Sequence, residues 1–188
     1  LYLTEVADAR AYGSVELLAG ERVKSFLEKM ENPPSNLINA GCYNFNRSVI
    51  ESIPEGKVVS VERETFPQLL AADKKVFGFI DRSYWLDIGT PAALFKGSRD
   101  LVNGDFAAGA GTSFGSGSSA KGGTSIGANC QIGQAVSISN SIIGDGVQIG
   151  DGAEIKDSFI LHGTAIAPGS KIFSKYLSST ENVEISPA

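Results

Sequence analysis

Nine isoleucines near the C-terminal end of the chain recur at a nearly constant spacing. They are Ile126, Ile132, Ile138, Ile143, Ile149, Ile155, Ile160, Ile166 and Ile172. Gaps of six, six and five residues follow one another, which makes a unit of 17 residues read three times. A fixed period with one apolar residue per side predicts a solenoid, because each coil buries its side chains only by stacking on its neighbour. Ordinary β-hairpins would instead show strict two-residue alternation and turns of varying length.

Glycines and Asp-Gly pairs agree with this spacing. A glycine follows the isoleucine at positions 127, 133, 144 and 150, and Asp-Gly pairs begin at positions 145 and 151. These residues form the tight bends that a chain turning every five or six residues requires. Small side chains can fill the space between the isoleucine columns: Val136, Val147, Ala153 and Thr164. Over residues 125–172 the pattern resembles the hexapeptide repeat of left-handed parallel β-helices, and the left hand is what that resemblance implies.

Composition limits the partners and the cellular compartment. The chain has 188 residues and a net charge of -5, which argues against nucleic acid or an acidic membrane surface as a general partner. Cys42 and Cys130 lie in different regions of the chain, which favours a reduced, cytoplasmic protein over a disulfide-linked secreted one. No signal peptide or apolar run of membrane-spanning length is recognisable. The first residues read as a strand without an initiating Met, so we expect a piece of a longer protein.

The residues before the repeats have a different pattern. Apolar or alternating runs predict strands at residues 1–6, 22–27, 37–45 and 76–80, with short helices between them and a final helix capped by Thr90 and started by Pro91. We therefore predict a mixed α/β region over residues 1–104. A Gly/Ser-rich linker is expected at 105–124, a β-helix at 125–175 and a flexible tail at 176–188. The alternative for the Gly/Ser stretch is an imperfect first coil, and we favour the linker.

Four short strings in the α/β region carry the functional signal. They are AYGSV (11–15), FLEKMENPPSNLINAGCYNF (26–45), SVERETFP (60–67) and YWLDIGTP (84–91). In this order they resemble the C-terminal half of sugar-nucleotide pyrophosphorylases, a nucleotidyltransferase family, and most closely its mannose-1-phosphate guanylyltransferase branch. The resemblance implies part of a nucleotidyltransferase domain with a Rossmann-like mixed sheet, followed by the left-handed parallel β-helix. The implied reaction joins a sugar 1-phosphate to a nucleoside triphosphate and releases pyrophosphate.

Glu28 and Lys29 are adjacent at the predicted end of a strand, before the loop ENPPSN. Strand alternation would send them to opposite faces, but a loop that begins there can let both reach one pocket. A carboxylate accepts hydrogen bonds from sugar hydroxyls, and an ammonium group is a compact charge for a phosphate. The resemblance assigns Glu28 to the sugar and Lys29 to its phosphate, where Lys29 also counts as a catalytic residue. The alternative is a solvated ion pair.

The other predicted substrate-binding residues are Gly13, Asn39, Ala40, Gly41 and Glu62. A polar amide at Asn39, in an otherwise apolar strand, needs a partner, and a hexose ring approaching the backbone at Gly41 would supply one. The resemblance places Gly13 and Glu62 against the sugar as well. The alternatives are a turn or bulge glycine, an amide bonded to nearby backbone, and a carboxylate that pairs with Arg63 or caps the next helix.

Asp87 is the predicted catalytic metal ligand. It lies where a strand gives way to the final helix, the edge at which α/β proteins bind ligands. Charge on phosphate oxygens during phosphoryl transfer is neutralised by a hard cation such as Mg²⁺, and the resemblance makes Asp87 one of two aspartates that hold it. The alternative is that Asp87 caps the helix, although Thr90 already fills that role.

The nucleotide side of the site is not recognisable in this sequence. The family's Gly-rich motif GGxGTRL does not occur, and the Gly/Ser stretch at 109–123 contains no Arg. We therefore expect this chain to lack the nucleotide-binding half and to make no sugar nucleotide when tested alone. In the complete enzyme the expected partners are a sugar 1-phosphate, with mannose 1-phosphate favoured, an NTP, with GTP favoured, and further copies of the same subunit.

Three other functions remain open. Glucose-1-phosphate uridylyl-, adenylyl- or thymidylyltransferases would use the same acceptor residues. A noncatalytic regulatory paralogue could assemble through the β-helix, whose last coil offers an unpaired edge. Hexapeptide β-helices also occur in acyltransferases that use a His as general base, and His162 is the chain's one histidine.

Overall fold

The protein consists of two compact units. The computed structural model describes residues 1–185, and contacts divide the chain into Leu1–Trp85 and Leu86–Ala188. The sequence predicted a boundary after residue 104 instead. The boundary lies earlier because the helix that begins at Pro91 packs on a strand of the second unit.

The first unit is built on a mixed five-stranded sheet, which agrees with the predicted mixed α/β region. Its strands are β1 (Tyr2–Glu5), β2 (Gly13–Leu17), β3 (Val23–Glu28), β4 (Leu37–Asn39) and β5 (Phe79–Ile80). They are ordered β3-β2-β4-β1-β5, with β1 and β5 parallel and the other neighbours antiparallel. The last two strands are shorter than predicted. β2 was not predicted as a strand, because Gly13 and Ser14 are buried where an apolar residue is expected.

Two short helices and an aromatic cluster complete the first unit. The helices are α1 (Arg47–Glu51) and α2 (Phe66–Ala71), and a wide π-type turn at Val61–Thr65 leads into α2. Phe66 of α2 is 2% exposed and lies 5.1 Å, between ring centroids, from Phe26 of β3. Phe45 stacks on the same Phe66 ring at 5.7 Å. This contact fixes α2 and the segment before α1 on one face of the sheet.

The second unit is a parallel β-solenoid of about four coils, which agrees with the predicted β-helix. Three sheets form its sides, ordered β6-β9-β12-β15-β18-β19, β7-β10-β13-β16 and β8-β11-β14-β17. The strands are β6 (Phe106–Ala108), β7 (Ser113–Phe114), β8 (Ser119–Lys121), β9 (Thr124–Ile126), β10 (Gln131–Ile132), β11 (Ser137–Ser139), β12 (Ile142–Ile143), β13 (Gln148–Ile149), β14 (Glu154–Lys156), β15 (Phe159–Ile160), β16 (Ala165–Ile166), β17 (Lys171–Phe173), β18 (Lys175–Leu177) and β19 (Asn182–Glu184).

The isoleucine columns form the solenoid core, as the spacing predicts. Ile138 pairs with Ile155, and Ile155 with Ile172, so each coil repeats after 17 residues. Ile138 and Ile155 are 0% exposed. The Asp-Gly bends add a second link between coils, because Asp145 Oδ1 accepts a hydrogen bond from the Ala128 N–H of the preceding coil at 2.7 Å. The columns and bends together hold the stack in register.

The predicted Gly/Ser linker is the first coil of the solenoid. Ala108, Phe114 and Ala120 pair with Ile126, Ile132 and Ile138, each 18 residues later. The extra residue lies at a corner where Gly122 and Gly123 both have positive φ, whereas one residue, Asn140, turns the next coil. This insertion and the absence of isoleucine hid the coil from the 17-residue pattern.

The final helix of the predicted α/β region belongs to the second unit. It is α3 (Pro91–Asp100), in which Thr90 Oγ1 accepts a hydrogen bond from Ala93 N at 3.2 Å, as its N-cap role requires. The helix ends at Asp100, and it contacts β12 of the solenoid. Part of the predicted tail is also ordered, since β18 and β19 form an antiparallel pair. Residues 186–188 of that tail lie outside the described residues.

Both cysteines are free, with Cys42 exposed and Cys130 buried in the solenoid. None of the helices within residues 1–185 has the length and apolar character needed to cross a lipid bilayer.

Shortening one isoleucine side chain in a buried column should destabilise the solenoid without affecting the first unit. Ile155→Ala leaves a cavity in a fully buried column, so we expect the free energy of unfolding to fall by about 2 to 5 kcal/mol. Guanidinium unfolding followed by far-UV circular dichroism measures this change, and fluorescence of Trp85, the single tryptophan, reports on the first unit. The matched control is Glu154→Ala, whose exposed side chain precedes Ile155 on the same strand. An equal loss in both variants contradicts the stacked-column account.

Candidate sugar-phosphate site

Three adjacent strands of the first unit bring the predicted residues to one edge of the sheet. Gly13, at the start of β2, pairs with Glu28, at the end of β3. On the other side of β2, Ser14 pairs with Ile38, which sets Asn39 at the end of β4 beside Gly13. The ends of β3 and β4 therefore flank the beginning of β2, and residues from two of the four strings meet there.

Gly13 provides the space over which the Glu28 side chain lies. A Cβ atom at this position would approach Phe26 Cζ to 2.7 Å and Glu28 Oε2 to 2.9 Å, closer than real Cβ atoms come. Since Phe26 and Glu28 are two residues apart on β3, both side chains project from the same face of the sheet. The carboxylate therefore lies at the rim of the aromatic cluster, above a glycine that no larger residue can replace without displacing it.

Burial and a like charge both act on Glu28. Its side chain is 13% exposed. Burial raises the pKa of Glu28, and the nearby Glu62 carboxylate raises it further, while Lys29 and Arg63 act in the opposite direction. The first unit thus holds a partly desolvated pair of carboxylates, Glu28 and Glu62, at one place.

Lys29 reaches the same side as Glu28, which strand alternation alone would not allow. Its φ is 51°, a left-handed conformation that ends β3, and its Nζ lies 4.0 Å from Glu28 Oε1. The Lys29 N–H still donates to Tyr12 O at 3.0 Å, so the turn is attached to the segment before β2. The Lys29 side chain is 59% exposed and is accessible to an anion.

Both polar atoms of the Asn39 side-chain amide have hydrogen-bond partners within the protein. The residue is 7% exposed, and its Oδ1 accepts a hydrogen bond from Gly41 N at 3.1 Å. Its Nδ2 donates to Glu62 Oε1 and to Tyr43 Oη, both at 2.6 Å. The amide therefore has the local backbone partner that the sequence left open, and it also holds a predicted sugar-binding carboxylate. A direct contact between Asn39 and a sugar stays a prediction.

The backbone beyond Asn39 is open to a ligand. Gly41 has a φ of 83° and is exposed, and nothing lies within 4 Å of the position a Cβ would take. Ala40 O accepts a hydrogen bond from the Trp85 indole Nε1 at 3.3 Å. The Ala40-Gly41 turn is thus held on one side by Trp85 and free on the other.

Glu62 and Glu64 have separate roles in the turn before α2. Ser60 Oγ accepts from Arg63 N at 3.2 Å, and Glu64 Oε1 accepts from Ser60 N at 2.9 Å, which is the reciprocal arrangement of a capping box. Glu64 is therefore the glutamate that caps the start of the Val61–Thr65 turn. Glu62 instead points toward Asn39 and Tyr43.

The sequence predicted no role for three aromatic residues near these groups, which are Tyr12, Tyr43 and Trp85. Tyr43 Oη donates to Glu62 Oε1 at 3.1 Å. Trp85 packs edge-on against Tyr12, with ring centroids 5.8 Å apart. Tyr43 and Trp85 lie inside the strings INAGCY and YWLDIGTP, so the position was visible, but no spacing rule links them to residues so distant in sequence.

A cavity of about 910 Å³ in the first unit lies apart from these residues. Tyr43 and Phe66 contribute to its wall, as do Asn44, Lys74 and Lys75, but none of the predicted site residues lines it. Gly13, Glu28 and Asn39 therefore lie outside this cavity.

Asp87 and His162 belong to the second unit. Asp87 is exposed in the segment before α3, where its Oδ1 accepts a hydrogen bond from Gly89 N at 2.9 Å. His162 is exposed at a solenoid corner, stacked over Gly144 of the preceding coil. Within residues 1–185, no group of three or more His, Cys, Asp or Glu side chains is arranged to hold a metal ion.

The raised pKa of Glu28 predicts a pH-dependent effect of its neutralisation. Because the pKa is higher in the folded chain than in the unfolded one, the protonated form is favoured on folding, and this contribution is lost as pH rises through the folded pKa. Glu28→Gln removes the charge at every pH. We expect it to raise the unfolding temperature of the first unit at pH 8 and to change it little at pH 4.

Thermal unfolding monitored by Trp85 fluorescence at both pH values checks this expectation. Glu31→Gln is the matched control, since Glu31 is exposed in the loop that follows β3. A lower unfolding temperature at pH 8, or an equal rise at both pH values, would show that Glu28 is not disfavoured as a charged group.

Comparison with known proteins agrees with the resemblance of the four strings. The family model described as nucleotidyl transferase matches residues 1–104. A mannose-1-phosphate guanylyltransferase of Mycobacterium tuberculosis is 55% identical over 105 residues, which cover 55% of this chain and 29% of that protein. A probable mannose-1-phosphate guanylyltransferase 3 of Arabidopsis thaliana is 38% identical over 104 residues, covering 55% of this chain and 31% of that protein.

An archaeal relative extends this similarity. A putative mannose-1-phosphate guanyltransferase of Sulfolobus acidocaldarius is 34% identical over 102 residues, covering 54% of this chain and 27% of that protein. The chain thus spans less than a third of the length of these curated relatives. Since the family model covers more than half of this chain, and does so at its N-terminal end, the chain belongs to the nucleotidyl transferase family.

Proposed function

We propose that this chain forms the sugar 1-phosphate side of a nucleotidyltransferase site that makes a nucleoside diphosphate sugar and pyrophosphate. Mannose 1-phosphate and GTP are the favoured substrates. The observation that carries this proposal is the convergence of Glu28, Glu62 and Lys29 at one edge of the sheet. The names of the relatives from Mycobacterium tuberculosis and Arabidopsis thaliana support mannose over glucose.

The chemistry of these groups suits a phosphorylated sugar. Sugar hydroxyls donate hydrogen bonds, and the two carboxylates accept them with the strength of charged acceptors. The Lys29 ammonium is a mobile point charge close to Glu28, and it suits the phosphate. The hydroxyl groups would thus bind the carboxylates and the phosphate would bind the ammonium, so the two ends of a sugar 1-phosphate have different partners.

Orientation is the main contribution that these residues make to the reaction. In nucleotidyl transfer an oxygen of the sugar phosphate attacks the α-phosphorus of the triphosphate. The new P–O bond forms as the bond to the β-phosphate oxygen breaks, and pyrophosphate leaves with that electron pair. Positioning the attacking oxygen in line with the leaving group is a large part of such catalysis. Lys29 would hold the attacking phosphate, and Glu28 and Glu62 would fix the sugar that carries it.

Asp87 fits a Mg²⁺ ion as a single protein ligand. Its carboxylate is exposed, and the hydrogen bond from Gly89 engages Oδ1. Mg²⁺ commonly takes one or two carboxylates and completes its coordination with water and substrate phosphates. When bound, the ion would neutralise charge that develops on the phosphate oxygens. Asp87 would then be the residue of this chain that holds it.

Binding of mannose 1-phosphate to the 188-residue chain tests the proposal. Lys29→Gln removes the phosphate-binding charge, so we expect isothermal titration to show at least about tenfold weaker binding. The matched control is Lys24→Gln. Lys24 lies on β3, the strand that ends just before Lys29, and its Nζ pairs with Glu16 Oε1 at 3.3 Å. Titrations with glucose 1-phosphate and with mannose separate the contributions of the sugar and the phosphate.

Two results would contradict the proposal. One is the absence of measurable binding of mannose 1-phosphate and glucose 1-phosphate to the unsubstituted chain. The other is an equal loss of affinity in Lys29→Gln and Lys24→Gln, which would indicate nonspecific attraction of the anion. Stronger binding of glucose 1-phosphate would keep the reaction type and replace the favoured sugar.

A further inference from the structure

Tyr43 lies between the two polar side chains at the centre of the proposed site. Its hydroxyl donates to Glu62 Oε1 at 3.1 Å and accepts from Asn39 Nδ2 at 2.6 Å. Asn39 Nδ2 also donates to the same Glu62 oxygen at 2.6 Å. The three groups therefore form a closed network in which both donors end on Oε1 of Glu62.

The aromatic cluster fixes the position of the Tyr43 hydroxyl. The Tyr43 ring packs edge-on against Phe66 at 5.2 Å and tilted against Phe45 at 5.8 Å, between ring centroids. Such packing leaves the ring few alternative rotamers. The hydroxyl is therefore presented to Glu62 from a rigid base, whereas Glu62 itself lies in a turn.

Tyr43 keeps its proton over the physiological range. Burial raises the pKa of Tyr43, the Asn39 hydrogen bond lowers it, and the Glu62 and Glu28 carboxylates raise it again. A phenol with a raised pKa remains a donor, and a donor stabilises the ionised form of the carboxylate it faces. This matters because Glu28 and Glu62 repel each other when both are charged.

We propose that Tyr43 is a positioning residue of the sugar-phosphate site, which acts through Glu62 and not by contact with the substrate. Its hydroxyl, with the Asn39 amide, occupies Oε1 of Glu62 and thereby turns Oε2 toward the ligand. The two donors also hold the Glu62 carboxylate in a fixed position near Glu28. This inference rests on the proposed function for the identity of the ligand, whereas the network stands independently of it.

Tyr43→Phe tests this role because it keeps the ring and removes only the hydroxyl. We expect mannose 1-phosphate to bind about three- to tenfold more weakly at pH 7, since a hydrogen bond to a charged group is lost. We also expect the carbon-13 chemical shift of the Glu62 carboxyl group, measured at pH 7 without ligand, to change, because this carboxylate loses one of its two hydrogen-bond donors.

The Glu62 carboxyl group must be followed in the same experiment. Carbon-13 NMR of the glutamate carboxyl groups in the ligand-free chain at pH 7 reads its chemical shift directly. Tyr176→Phe is the matched control, because Tyr176 packs on Phe159 in the solenoid.

A double substitution separates positioning from direct contact. If Tyr43 acts through Glu62, then Tyr43→Phe causes no further loss of affinity in a Glu62→Gln background. Additive losses would overturn the proposal and make Tyr43 a ligand contact. An unchanged affinity and an unchanged Glu62 carboxyl chemical shift in Tyr43→Phe would overturn it as well.

Failure of the proposed function gives a different result. If the unsubstituted chain binds no sugar phosphate, the proposed function is wrong and the Glu62 carboxyl chemical shift decides alone. A Glu62 shift that changes in Tyr43→Phe and not in Tyr176→Phe then supports the positioning role. Equal shifts in all three chains then refute it.

Discussion

The pairing of β2 with both β3 and β4 is the interaction on which the candidate site depends. Hydrogen bonds between antiparallel backbones fix register, and here they set Gly13 opposite Glu28 and beside Asn39. A slip of one residue would turn Glu28 away from the aromatic face and break the network at Glu62. The glycine is a further requirement, because a side chain at position 13 would occupy the space of the Glu28 carboxylate.

Both units bury apolar side chains in a core, but they do so in different ways. In the solenoid each coil repeats one register, so columns of identical side chains become buried and the chain needs little information beyond its period. In the first unit, aromatic residues from separate segments meet around Phe66, and polar groups lie at the rim of that cluster. A site with several different side chains in fixed positions requires this second, irregular construction.

The sequence predicted the solenoid well because periodicity is a local signal repeated many times. It missed the first coil, since an added corner glycine lengthened the repeat and Ala108, Phe114 and Ala120 replace isoleucine. A spacing of six residues between those three positions was the signal that could have revealed it. The boundary after Trp85 was not predictable, because the packing of α3 on β12 is a tertiary contact.

The residues of the candidate site were identified by resemblance, and the structure shows which contacts each of them makes. The strings named Glu28, Lys29, Asn39 and Glu62, and these lie together, whereas Asp87 belongs to the other unit. Hydrogen-bond partners could not be deduced from spacing: Asn39 bonds Glu62, Glu64 caps the turn before α2, and Tyr43 completes the network. Each of these depends on side-chain directions that only the folded chain defines.

Amide NMR spectra of the chain titrated with mannose 1-phosphate test the central claim most directly. The account predicts shift changes that begin at Gly13, Lys29, Gly41 and Glu62 and that leave the solenoid amides in place. Changes confined to the solenoid, or spread evenly over all basic residues, would contradict a sugar-phosphate site at the edge formed by β2, β3 and β4.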